Sequence, residues 1–273
     1  SYGHNMLLYP LSEMSSAENS GIFFEHAHRL TGMYIGFTSL ILLISMFFWT
    51  KRITVRFLSL IIFFLVCVQG LLGGLRVTGV LTLSQDPSIL QPNIWLGVIH
   101  GVHAQFIFGL FVWLACLMSK TWESVKPLTN YKDRFFAHLL CVVMFFQLIL
   151  GALYRHMLGD NHLASQTSHV LYTHVILAFG VLIIAIVVGI RFIDIGHRMF
   201  QSLGKVLLSL VSLQLLLGGV ALIAIMIAKG EEIPLYEVLV TTAHQANGAL
   251  LIAVSVLCFV WSNRFKGKMN VLN

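Results

Sequence analysis

Seven long apolar runs, separated by short polar stretches, set the pattern of this chain. A helix rises about 1.5 Å per residue, so about 20 apolar residues cross a hydrocarbon layer of roughly 30 Å. The runs predict membrane-spanning helices near 27–50, 53–75, 95–118, 135–155, 168–190, 204–228 and 238–262. An outer-membrane barrel would instead show short segments alternating at period two, so the pattern points to an α-bundle. The longest gap between runs is about 20 residues, too short for a soluble domain. Ser1 to Phe24 is polar and mixed, without the basic-then-apolar order of a signal sequence.

Composition sharpens this picture. Of 273 residues, 58% are hydrophobic and 10% charged, against about 25% charged in an ordinary soluble domain. So few charges cannot clothe a soluble enzyme, and so apolar a chain is not a disordered one. The net charge of +6 does not mark a nucleic-acid binder, because the basic residues sit in short clusters between apolar runs, where they report orientation. One set of loops holds Lys51, Arg52, Arg56, Lys120, Lys126, Lys132, Arg134, Arg191, Arg198, Lys205, Arg264, Lys266 and Lys268; the other holds Arg29, Arg76, Arg155 and Lys229. This asymmetry puts the C-terminus in the cytoplasm and, with seven helices, the N-terminus outside. Cys67, Cys116, Cys141 and Cys258 all fall within apolar helices, where a free thiol acts as a small hydrophobe. No disulfide is expected.

An internal repeat runs through the helices. Three outward-running helices carry a glutamine followed four residues later by a pair of small residues: Gln69 with Gly73 and Gly74, Gln147 with Gly151 and Ala152, Gln214 with Gly218 and Gly219. Small residues let helix backbones approach closely, and a glutamine can bond across to a neighbour. The inward-running helices share a different feature, a histidine near the start: His28, His100 (with His103), His174 (with His169) and His244. Their spacings of 72, 74 and 70 residues place all four at similar depth, toward the outer leaflet. A polar side chain inside a membrane segment faces the bundle interior and usually has a function.

Four histidines at matched depth suit metal ligation better than packing. Zinc takes four clustered ligands, and intramembrane proton relays favour carboxylates. Haem iron needs one or two axial imidazoles and apolar walls, so two histidine pairs in a duplicated bundle fit two haems. The carboxylate seen beside a helix histidine is Glu25, which shares a helix face with His28 three residues on, while His26 points elsewhere. Arg29 is placed to pair with a haem propionate. The plainer reading of Glu25 and Arg29 is a helix-dipole partner beside a snorkelling arginine.

The run Glu25-His26-Ala27-His28-Arg29 resembles the signature of haem A synthases, membrane enzymes that convert haem O to haem A for terminal oxidases. Leu72-Gly73-Gly74-Leu75-Arg76-Val77-Thr78, His100-Gly101-Val102-His103-Ala104-Gln105, Leu150-Gly151-Ala152-Leu153-Tyr154-Arg155-His156 and Ala243-His244-Gln245-Ala246-Asn247-Gly248-Ala249 extend the resemblance over essentially the whole chain. It implies an all-α integral membrane protein, a pseudo-twofold bundle of two four-helix halves, with seven of the eight transmembrane helices present. The organisation then expected is an N-terminal half-bundle over 1–118 on the substrate side, a cytoplasmic linker over 119–134, a C-terminal four-helix half-bundle over 135–263 on the haem b side, and a basic tail over 264–273.

Residue by residue, the resemblance implies that His28 and His100 flank the substrate haem and that His174 and His244 flank a haem b, all four as axial iron ligands. Glu25 corresponds to the family's catalytic carboxylate, and His26 and His169 are expected at the surface or in support. The implied reaction oxidises a ring methyl of haem O to the formyl group of haem A through hydroxylated intermediates. Implied partners are haem O, handed over by a haem O synthase, an electron partner and membrane lipid, with self-association left open and no nucleic acid. The implied location is the bacterial cytoplasmic membrane, with the haem sites toward the outer side. The main rival is a dihaem b-type cytochrome that only transfers electrons; it needs the four histidines but not Glu25. A transporter would break its helices near the midplane, whereas Pro10, Pro87, Pro92, Pro127 and Pro234 all lie outside the helix interiors.

Overall fold

A computed structural model describes residues 20–78, 94–126, 128–158, 163–228 and 233–264. These residues form eight helices: α1 (Ser20–Trp49), α2 (Ile53–Thr78), α3 (Ile94–Met118), α4 (Lys120–Ser124), α5 (Tyr131–Met157), α6 (Ala164–Asp194), α7 (Arg198–Ile227) and α8 (Leu235–Ser262). No strand occurs among the described residues. Seven of the helices are long and apolar enough to cross a membrane; the protein is an all-α integral membrane protein. The short α4, capped by Ser119, was not foreseen.

Several helices run past the apolar runs because polar residues at their ends satisfy free backbone groups. At the start of α5, Asn130 Oδ1 accepts from the backbone N–H of Lys132 (2.9 Å) and of Asp133 (3.1 Å). The Asp133 carboxylate accepts in return from the Asn130 N–H at 2.7 Å. This capping box adds a turn that the charges of 132–134 hide. After α6 the chain turns at Gly196, whose φ of 77° lies in the left-handed region that favours glycine. Arg56 closes the end of α1, donating to the carbonyls of Thr50 and Phe47, each at 2.7 Å.

The helices group into two compact units, residues 1–78 and 79–273, each described by itself. In the first, α1 and α2 pack along one another. In the second, α5 packs on α6, α6 on α7, α7 on α8 and α8 back on α5, a closed four-helix ring with α3 laid against α5 and α8. Helices α6 and α8 are therefore diagonal, with α5 and α7 between them.

The ring's packed core sits toward the end where α5 and α7 begin. Phe192, Phe200 and Trp261 stack edge to face there, with centroids 5.4 and 5.9 Å apart. Leu140, Leu207 and Cys258 are buried in the same core. Toward the other end this core stops at Met144, Val181, Val211 and Leu251. On α5 and α7 the next residues one turn on are Gln147 and Gln214; on α6 and α8, His174 and His244 lie two turns away. The apolar core thus fixes the ring at one end and leaves the repeated polar motif at the other.

Candidate functional site

The two halves of the internal repeat meet in this ring. Gln147 on α5 directs its amide nitrogen at His174 on α6, 3.3 Å from Nε2 and 3.0 Å from the His174 carbonyl oxygen. Gln214 on α7 does the same to His244 on α8, with 3.2 Å between amide nitrogen and Nε2. One turn along each glutamine helix stands the motif's glycine. A Cβ at Gly151 would lie 3.1 Å from His174 Cε1, and a Cβ at Gly218 would lie 3.1 Å from His244 Cε1. The glutamine meets Nε2 of each ring and the glycine makes room for its Cε1 corner.

The second cradle has a further support. Asn247, 5% exposed and one turn after His244, donates from Nδ2 to Gln214 Oε1 at 2.6 Å and to the Leu210 carbonyl at 3.0 Å. Gly248 clears space for the same amide, since a Cβ there would stand 3.3 Å from Gln214 Nε2. The equivalent position after His174 is Leu177, and Gln147 Oε1 is buried without a hydrogen-bond partner. Nδ1 of His174 and Nδ1 of His244 are likewise buried and unpartnered. Buried polar atoms are paired in most proteins, so three orphans at one level mark a place built for more than packing.

These features suit haem. Axial ligation takes a lone pair from each of two imidazoles, and here two imidazoles stand on diagonal helices, each cradled by the helix beside it. His174 and His244 would hold the iron, with Gly151 and Gly218 keeping each ring free to face it.

The remaining predicted residues fall as follows. On α1, Arg29 makes a close ion pair with Glu25, one turn away, both side chains about one-third exposed. His28 is exposed, while His26 is the buried one at 3% exposure, which of its two expected places leaves the supporting one. His169 is exposed. His100 and His103 are half-buried on α3. His28 and His100 belong to different units, and their pairing remains an expectation. All four cysteines carry free thiols; Cys116 and Cys258 are buried and Cys67 is exposed.

Sequence reasoning missed two polar residues. Glu237, 6% exposed, lies two turns before His244 on α8. Its place in the first turn of a helix disguises it as a dipole partner, but the seven-residue spacing to His244 puts both on one face. His156, at the end of α5, packs its ring on Gly97 of α3, where a Cβ would lie 2.8 Å from Cε1. That contact ties the 150–156 motif to the helix that carries His100.

An all-α, multi-span bundle with buried histidines and glutamines between its helices defines a polytopic membrane protein with a polar intramembrane site. The chain belongs to the cytochrome oxidase assembly protein family, COX15-CtaA, whose model matches residues 4–160. The match includes Glu25, His28 and His100 and ends before His174. The Heme A synthase of Pelagibacter ubique (strain HTCC1062) is 31% identical over 141 residues, 51% of this chain and 39% of that protein. The matched part therefore spans well under half of the relative's length. The resemblance stated from the sequence holds at the level of the family. No solved structure matches the chain.

Proposed function

We propose that this protein is a haem A synthase, oxidising the ring methyl of haem O to a formyl group to give haem A. The observation that carries the reading is the pair of cradled imidazoles, His174 and His244, on diagonal helices of a chain in this family. Haem b held there would supply one-electron transfer. From the resemblance, His28 and His100 keep the part of ligands to the haem that is oxidised.

Glu25 is the proton acceptor in this reading. It lies one turn from His28, and its carboxylate can take a proton as the methyl group loses hydrogen. Arg29 now neutralises Glu25 and can exchange that partner for a propionate, since a guanidinium binds either carboxylate equally well. Haem O synthase as the source of substrate and a separate electron partner complete the proposal.

The test is conversion of haem O in cells that make it but lack their own haem A synthase. With the wild-type chain, haem A should appear. Glu25→Gln keeps size and backbone, so haem should still bind while haem A formation falls by about 10²–10⁴-fold. Haem O left unchanged by a folded wild-type protein would contradict the reading. Normal conversion by Glu25→Gln would remove Glu25 from the mechanism.

A further inference from the structure

The direction of every hydrogen bond in the two cradles can be fixed from backbone acceptors outward. The Leu210 carbonyl can only accept, so the Asn247 atom 3.0 Å from it is the amide nitrogen. That nitrogen also donates to Gln214, so the Gln214 atom 2.6 Å away is oxygen. Gln214 therefore turns its N–H to His244, and Nε2 of His244 must accept. In the other cradle the His174 carbonyl fixes the amide nitrogen of Gln147 in the same way, at 3.0 Å, so Nε2 of His174 also accepts. A neutral imidazole with Nε2 accepting carries its proton on Nδ1. Both rings thus stand as the same tautomer, with their lone pairs on Nε2.

We propose that Gln147 and Gln214 are positioning residues that hold His174 and His244 as neutral Nδ1–H imidazoles, keeping each Nε2 lone pair available to a haem iron. The inference rests on the reading of this histidine pair as haem ligands. It assigns the repeated Gln-x-x-x-Gly motif a chemical task beyond helix packing: the amide N–H excludes a proton from Nε2, and yields that position when iron arrives. A hydrogen bond at one ring nitrogen sets the state of the other, which is how residues around a metal ligand tune it. The two cradles are unequal. Asn247 locks Gln214, whereas Leu177 leaves Gln147 held by the His174 carbonyl alone.

The experiment titrates the purified full chain in detergent with haemin, reading affinity and the fraction of six-coordinate low-spin haem. Gln214→Glu replaces a donor with a group that only accepts, so it draws the ring proton onto Nε2. It should weaken the low-spin site by about 10–100-fold, as loss of supporting hydrogen bonds at metal ligands typically does. Gln214→Leu removes the contact without reversing it, so its loss should be clearly smaller than that of glutamate, where a role in packing alone would make leucine as harmful as glutamate. Gln147→Glu and Gln147→Leu should fall in the same order. Equal losses for Glu and Leu, or no loss for either, would overturn the inference. His174→Ala and His244→Ala are the separate control: if they keep the wild-type low-spin spectrum, the haem reading of this pair has failed instead. Gel filtration of each variant identifies a folding failure, and the paired substitution at the other glutamine then decides.

Discussion

At Gly218 a single methyl group separates two properties that usually travel together. Alanine is favoured over glycine in a helix by about 1 kcal/mol, yet a Cβ there would press on His244 Cε1 at 3.1 Å. Gly218→Ala should therefore leave thermal stability unchanged or slightly raised while lowering the low-spin haem fraction, measured by melting and absorption spectra on the same preparation. Loss of stability with an unchanged spectrum would assign the glycine to packing alone. Asn247 argues the opposite way. Asn247→Leu strands the buried Gln214 Oε1 without a donor, and an unsatisfied buried acceptor costs about 1–3 kcal/mol; equilibrium unfolding should register that loss. Sequence made both partners visible separately, the glutamine–glycine motif and the histidines at matched depth. It did not pair them, because Gln147 and His174 lie 27 residues apart and Gln214 and His244 lie 30 apart, on different helices. Only the fold sets which ring each amide meets.

The helices themselves were legible because apolar length alone identifies them, whereas their ends depend on particular hydrogen bonds. Asp133 shows why. Read along the chain it is one of three consecutive charges in a loop, but folded it is 3% exposed, caps α5 and pairs with Arg191 of α6 at 2.7 Å. Arg191, counted as an orienting loop cation, serves as a tie between helices. It also reaches Asn130 Oδ1 at 3.3 Å, so both parts of the capping box bear on it. Removing the partner of a buried carboxylate leaves its charge uncompensated, and with the guanidinium itself partly exposed Arg191→Ala should destabilise the protein by about 1–3 kcal/mol. Asp133 and Arg191 lie at the packed-core end, far along α5 and α6 from the cradles, so haem affinity of the surviving folded fraction should hold. A stability change below about 0.5 kcal/mol in denaturant unfolding would show the pair to be merely superficial.

Across the molecule, the ring is built with a packed end and a histidine end. The orientation proposed from the basic residues near the starts of α5 and α7 has the packed end in the cytoplasm and the histidine cradles toward the outer side. A reporter fused after residue 264 should accordingly be active only in its cytoplasmic form, and activity of an exported reporter at that position would reverse the orientation. The repeat was legible at this scale because duplication leaves a spacing of about 70 residues in the histidines. The role proposed for Glu25 comes from the family resemblance alone, since its ion pair with Arg29 is equally what a surface helix end would show. Whether the molecule modifies haem or merely carries electrons through it therefore turns on chemistry at the ring. The most direct measurement is extraction of the pigments that purify with the protein from cells supplied with haem O. Haem A and haem O beside haem B would be the signature of a haem A synthase; haem B alone would contradict that account and leave an electron-transferring cytochrome.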